Sequence, residues 1–399
     1  MKRFFTVALF AIATICGLNA QTEELKEWLK KPSGELSEQK FAKKKIDKNS
    51  VKEVTAIIDS LWRIKNAERL QSSWQRLTIY NDSLRLACAC RDFGRTPADG
   101  RSLFISMHGG GECPKEVNDE QWMNQIYLYE PKEGLYIAPR APWNSWDLWH
   151  KKGIDKLFED LITACIIFEN VNPDKVYLMG YSAGGDGVWR MAPRMADHWA
   201  AASMMAGHPG GTSQVNLRNL PFMIWMGEFD SAYNRNNLAI EKGEVMDKLQ
   251  ANDPEGYIHS TNIIEGKGHW MDLADSEALP WMTQYRRNPY PEKIVWRQEL
   301  VTRNSFYWLA VPEREAAHGK ELIVERKGNE IHINKSHYSN VTIYLNDEMM
   351  DLDKPIKIYY KGKRIGKKRV KRNIANIYES LNERNDPRYA FPAKIELDL

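Results

Sequence analysis

Residues 175–190 read Lys-Val-Tyr-Leu-Met-Gly-Tyr-Ser-Ala-Gly-Gly-Asp-Gly-Val-Trp-Arg, and few backbones can accommodate that order. The apolar run 176–179 predicts a buried strand. Gly180-Tyr181-Ser182-Ala183-Gly184 breaks it, and a helical pattern follows. Glycines flank a serine in this way where a strand-to-helix turn is too tight for side chains, which holds the serine oxygen clear of the backbone. A hydroxyl is a poor nucleophile near neutral pH. The turn therefore carries chemistry only if a histidine base, and an acid to orient it, come from elsewhere in the chain.

From Leu103 the chain alternates apolar strands with helical segments, which predicts an α/β fold built on a largely parallel sheet covered on both faces. Strands are expected at 103–107, 135–138, 176–179, 200–205, 222–226 and 258–264, with helices at 155–169 and 238–249. In such sheets the site forms outside the carboxyl ends of the strands. Ahead of this region, 22–74 is charged and helix-prone. Leu25, Trp28 and Leu29, then Val54, Ile57, Ile58, Leu61 and Trp62, recur at helical spacing and predict two or three helices. Residues 77–91 alternate, with Leu84, Leu86, Cys88 and Cys90 on one face, and predict a hairpin turning at Asn81-Asp82.

After Pro291 the rhythm shortens. Segments 321–326, 330–334, 341–345 and 356–360 predict a small antiparallel β domain with an independent core of Ile323, Ile331, Ile333, Val341, Ile343 and Leu345. The segment 296–311, with Phe306, Tyr307, Trp308 and Leu309, is apolar enough to dock it. Residues 361–372 carry eight basic side chains, either a solvated face or a surface for acidic glycans or membrane. The expected organisation is a signal segment (1–20), N-terminal helices (21–76), a catalytic domain (77–291) and a linker with the β domain (292–399).

The start of the chain supports export. Lys2 and Arg3 precede an apolar stretch at 4–15, and Gly17-Leu18-Asn19-Ala20 is a small-residue region suited to cleavage. About twelve apolar residues fall short of the ~20 a spanning helix needs, and no other segment suits a bilayer, so stable membrane insertion is not expected. With 56 Lys and Arg against 53 Asp and Glu, the net charge of +3 implies no nucleic-acid partner. Cys88, Cys90, Cys113 and Cys165 could be buried thiols or supply one bridge. Cys88 and Cys90 share a strand face and are poorly placed to join each other. The cysteine spacing suggests no metal site, and no cofactor is expected.

Three loops supply the partners Ser182 requires. His108-Gly109-Gly110-Gly111 follows the first parallel strand; the amides of Gly109 and Gly110, with that of Ala183, could face a developing oxyanion. His108 is expected to prop that loop. Strand 222–226 leads into Gly227-Glu228-Phe229-Asp230, making Asp230 the expected acid and Glu228 the alternative. Asp186 comes too early. Of the later histidines, His259 lies in a strand pattern and His318, His332 and His337 in the β region, whereas His269 sits in a glycine-rich loop directly after a strand. The order Ser182, Asp230, His269 follows. Trp143, Trp146 and Trp149 could stack on an aromatic or sugar substrate or pack at the sheet edge, and His208 could contact substrate or shape its loop.

These residues carry a resemblance. His108-Gly109-Gly110-Gly111, Gly180-Tyr181-Ser182-Ala183-Gly184-Gly185, Asp230 and Gly268-His269 resemble the α/β-hydrolase superfamily, and within it the carboxylesterase/phospholipase and polyhydroxybutyrate-depolymerase-like esterases. Ala138-Pro139-Arg140-Ala141-Pro142, followed by Trp146 and Trp149, is similar to the segment before the long helix of the carboxylesterase members. The resemblance spans about 75–290. It implies an eight-stranded, mostly parallel sheet and metal-free ester hydrolysis; the substrate does not carry over from it, and the expected partner is a small-molecule or polysaccharide-linked ester cleaved through an acyl-enzyme. Oligomeric state does not follow from it. Two other functions stay open: a serine peptidase or acyltransferase on the same fold, and a non-catalytic glycan-binding scaffold with a remnant hydrolase.

Overall fold

A computed structural model describes residues 20–399; apart from Ala20, the expected signal segment lies outside the described residues. The chain opens with α1 (Ala20–Lys30) and α2 (Lys48–Gln75). Asp47 caps α2 by accepting from the Ser50 amide, satisfying one orphan donor of the first turn. The helix buries Ser50, Val54, Ile58, Trp62, Asn66, Leu70 and Trp74, every fourth residue, so one narrow stripe faces inward along its length.

The central sheet contains β1 (Thr78–Asn81), β2 (Leu84–Phe93), β3 (Arg101–Met107), β4 (Gly134–Arg140), β5 (Val171–Tyr181), β6 (Ala201–Met205), β7 (Phe222–Gly227) and β8 (His259–Ile264). Its order is β1-β2-β4-β3-β5-β6-β7-β8, with β2 antiparallel to both neighbours and the remaining pairs parallel. Ile105 stands opposite both Ile137 and Leu178. Leu103, Ile105 and Met107 join one apolar cluster and Phe104 the other, because alternate residues of a strand point to opposite faces. Strands buried on both faces read as continuous apolar runs, which is why the sequence located them.

The crossover helices are α3 (Lys115–Leu128), α4 (Ile154–Phe168), α5 (Ala183–Arg194) and α6 (Arg235–Asn252), and the short α7 (Ala278–Met282) follows β8. Helix α3 lacks an apolar period: it buries only Asn118, Gln125 and Ile126. No described helix is long and apolar enough to cross a membrane. The four described cysteines are free thiols. Burial pushes the Cys88 and Cys165 thiols well up and that of Cys90 to about 12.

The C-terminal region holds two sheets. β10 (Ser305–Phe306), β11 (Leu309–Ala310), β14 (Asn340–Leu345) and β17 (Ala393–Asp398) form one. β9 (Lys293–Arg297), β12 (Glu321–Lys327), β13 (Glu330–Ser336), β15 (Ile356–Tyr360) and β16 (Lys363–Lys368) form the other, antiparallel except for the pair β13–β15. Helix α8 (Ile374–Arg384) lies between β16 and β17 in the chain. The expected inward face of β12 needs correction. Along β12 the side chains alternate without a break, so Leu322 and Val324 share the buried face and Ile323, between them, is only half-buried. Much of the basic run is the exposed edge strand β16.

The expected independent core of this region is also corrected. Its buried residues belong to one cluster with α2, α4 and a face of the central sheet. Trp62 Nε1 donates to Asn385 at 3.0 Å, the Ile46 amide to Arg372 O and the Ala375 amide to Ala42 O. The fully buried Tyr307 donates its hydroxyl to Ala196 O, so the segment 296–311 does tie the regions together, as one contact among many. Arg287 is 5 % exposed, with Asp174 at 3.0 Å on one side and Asp386 at 2.5 Å on the other.

Candidate active site

β5 ends at Tyr181 and α5 begins at Ala183, leaving Ser182 alone at the corner with φ 58° and ψ −122°. A non-glycine residue in that region stores about 1–3 kcal/mol of strain, which the surrounding structure must hold. The Ser182 amide is anchored on Met205 O at 2.9 Å. A methyl group on Gly180 would lie 2.4 Å from Gly184 O, and one on Gly184 would lie 2.0 Å from Met107 O, so both glycines are required by close backbone approach.

Ser182 Oγ lies 2.9 Å from His269 Nε2, and His269 Nδ1 lies 2.7 Å from Asp230 Oδ2. An ionised carboxylate only accepts, so Nδ1 carries the proton and Nε2 presents its lone pair to the serine. Asp230 is 2 % exposed and has Arg235 Nη1 at 3.7 Å from its other oxygen. The acid and histidine loops are stitched together, Glu228 N to Ile264 O and Phe229 N to Lys267 O. Glu228 instead accepts the Gly266 amide, so the structure pairs Asp230, not Glu228, with His269. Tyr181 was not singled out by the sequence. Its hydroxyl accepts from the Met271 amide and donates to His269 O at 2.7 Å, pinning the histidine loop from the strand below. A tyrosine beside the serine gives no local sign of reaching 88 residues ahead.

The glycine loop lies against the serine: a side chain on Gly109 would come within 3.1 Å of Ser182 Cβ. Ala183 opens α5, where first-turn amides lack intrahelical acceptors. His108 is fully buried. Its Nε2 accepts from the Ala141 amide, so Nδ1 carries the proton and donates to Gly109 O, fixing the peptide plane before Gly110. Burial holds its pKa at about 4, against 6.5 in the unfolded chain. The unfolded state therefore binds more protons between those values, so His108 burial leaves stability intact above about 6.5 and erodes it as pH falls toward 4. Urea midpoints measured from pH 7.5 to 4.5 should fall, with His108 contributing up to about 3 kcal/mol at the acid end. A His108→Gln variant should show a shallower slope.

The aromatic candidates separate. Trp149 is fully buried and donates Nε1 to His108 O at 3.0 Å, so it braces the loop and is closed to substrate, a correction to the sequence reading. Trp143 is partly buried under Lys151. Trp146 is 60 % exposed with its ring edge-on to His150, free to meet a ligand. The His208 amide donates to Asp186, and its Nδ1 accepts from the Gly210 amide, which folds 207–210 onto α5. Among the described residues no cluster of three or more His, Cys, Asp or Glu is arranged to hold a metal ion.

No family model matches the chain, and no curated protein sequence matches it. Among solved structures, a thermostable esterase aligns with a TM-score of 0.42 at 17 % identity, over 53 % of this chain and 62 % of that one. This chain thus spans about three fifths of that protein's length. A ferulic acid esterase aligns with a TM-score of 0.37 at 18 % identity, over 52 % and 96 % of the two chains. An acetyl xylan esterase from Aspergillus awamori gives 0.34 and 13 %, over 50 % and 94 %. The sheet order, the sharp turn at Ser182 between β5 and α5, and the succession of loops after β5, β7 and β8 are those of an α/β-hydrolase fold.

Proposed function

We propose that the protein is a serine hydrolase that cleaves carboxylic esters. The observation that carries this reading is the unbroken relay from Ser182 Oγ through His269 to the buried Asp230, at 2.9 and 2.7 Å. In the proposed reaction, Ser182 Oγ attacks the acyl carbonyl while His269 Nε2 takes its proton. Asp230 holds the imidazole in the required tautomer and stabilises the imidazolium. The amides of Ala183 and of the Gly109–Gly110 loop receive the oxyanion. Collapse expels the alcohol, which takes the proton from His269 and leaves an acyl-serine. Water, deprotonated by His269, attacks that ester, and a second collapse releases the carboxylic acid and returns the proton to Ser182. Residues 1–20 support export of the mature chain by their basic-then-apolar order.

A panel of p-nitrophenyl acetate, p-nitrophenyl butyrate and peptidyl p-nitroanilides tests the reading. Turnover of the esters well above the anilides is expected. Rapid anilide cleavage with negligible esterase activity would make the protein a peptidase instead, and a folded protein inert to all three would favour the scaffold reading.

A further inference from the structure

Next to the glycine loop, lined by none of the triad residues, lies a cavity of about 210 Å³ that the reaction above does not use. Trp146 forms its rim, next to the glycine loop: a side chain on Gly111 would come within 3.3 Å of Trp146 Cα. One wall is α5, through Arg190 and Arg194. Arg190 lies two turns beyond Ser182, about 12 Å of helix rise.

The charges in this cavity are unequally satisfied. Arg194 donates to Asp155 at 2.6 Å, and Lys151 lies 3.3 Å from Asp147. Arg190 donates no hydrogen bond and has no carboxylate within ion-pair distance among the described residues; its Nε is buried without a partner. The guanidinium is held tightly against the 207–210 loop, where a methyl on Gly210 would lie 1.9 Å from Nη2. Burial draws the Arg190 pKa down and holds His150 at about 4, so that neighbour is neutral. Glu299 lines the same space at 8 % exposure and accepts the Ser213 amide at 3.4 Å; burial pushes its carboxyl up, toward the protonated form. A guanidinium carries five donors in a planar fork, leaving it unmet is costly, and the matching acceptor is a carboxylate taken bidentately.

We propose that this cavity is a subsite for a carboxylate carried by the ester substrate, with Arg190 as its partner and Trp146 as the platform for the ring that bears it. The inference rests on the ester-hydrolase reading of Ser182. The acid and the scissile carbonyl must sit on one molecule, roughly 12 Å apart by the helix rise between their partners. An acylated oligosaccharide with a uronic acid near the acyl group meets both demands.

The test uses two acetylated oligosaccharide series that differ only in whether the uronic acid is intact or reduced to the alcohol. Each enzyme form is read as its ratio of kcat/KM, acid over alcohol, so a general loss of activity cancels. Wild type should prefer the acid by on the order of tenfold to a hundredfold. Arg190→Gln should bring the ratio near one, and Arg190→Lys should restore part of it. Glu299→Gln should leave the ratio at the wild-type value or above it, since burial already favours the protonated form of that carboxyl. A wild-type ratio near one, a preference that survives Arg190→Gln, or a fall in the ratio on Glu299→Gln would each overturn the subsite. p-Nitrophenyl acetate, too short to reach the cavity, reports on the triad separately: wild-type turnover of it with no acid preference defeats this inference alone, whereas no turnover defeats the reading beneath it.

Discussion

Replacing Ser182 with alanine should lower kcat for p-nitrophenyl acetate by about 10³-fold or more, with the circular dichroism spectrum and urea midpoint little changed. The hydroxyl is the atom proposed to form the acyl bond, and it is the group that meets His269 Nε2, at 2.9 Å. Ser182 also sits in a strained backbone region, so alanine there inherits the strain but not the function. His269→Ala should cost about as much, because the members of such a relay act as a unit and their losses do not add. Asp230→Asn should cost on the order of 10⁴-fold, since an amide can donate to Nδ1 and so favours the wrong tautomer. If any of these variants kept more than a tenth of wild-type turnover, its residue would not hold the proposed role.

The second large effect concerns the C-terminal region. A chain ending at Val311 should show no cooperative unfolding transition. Truncation removes β14, the hydrogen-bonding partner of β11, and α8, which packs on α2. It would bare Phe306, Tyr307, Trp308 and Leu309, each about 1.5–3 kcal/mol of lost burial, against a typical total stability of 5–15 kcal/mol. The buried Arg287 would also lose Asp386. A single substitution makes the same point more gently. Arg287→Met leaves the buried Asp386 without its cation, while Asp174 keeps Arg388 at 3.0 Å, and breaking a buried pair from one side costs about 3–5 kcal/mol. A truncated protein that unfolds cooperatively near the wild-type midpoint would restore the β domain with an independent core that the sequence predicts.

What the sequence made legible was local or periodic. The strand, the tight glycine turn and the helix around Ser182 announce themselves within sixteen residues. Asp230 and His269 could be chosen because each follows an apolar strand, and in a parallel sheet those ends converge. What stayed hidden depends on distant packing. Trp146 and Trp149 stand three residues apart in one loop, and only the position of His108 decides that Trp149 is buried and Trp146 exposed. Helix α3 buries amides more than apolar groups, so it carries no period to read. Strand β12 carries apolar side chains on both faces, Leu322 and Val324 on one and Ile323 on the other, so alternation alone cannot say which face turns inward. Arg287 finds its acids 113 and 99 residues away, and no spacing rule reaches so far.

The central claim is that Ser182 is an activated nucleophile, and covalent capture tests it most directly. A fluorophosphonate reacts with a serine only where a base withdraws the proton and the oxyanion is held. Incubation of the folded protein with such a probe, followed by intact mass and peptide mapping, should show one adduct, on the peptide containing Ser182. His269→Ala should slow its formation by orders of magnitude, and Ser182→Ala should abolish it. A folded, monodisperse protein that takes up no probe, or takes it up on another serine, would contradict the account.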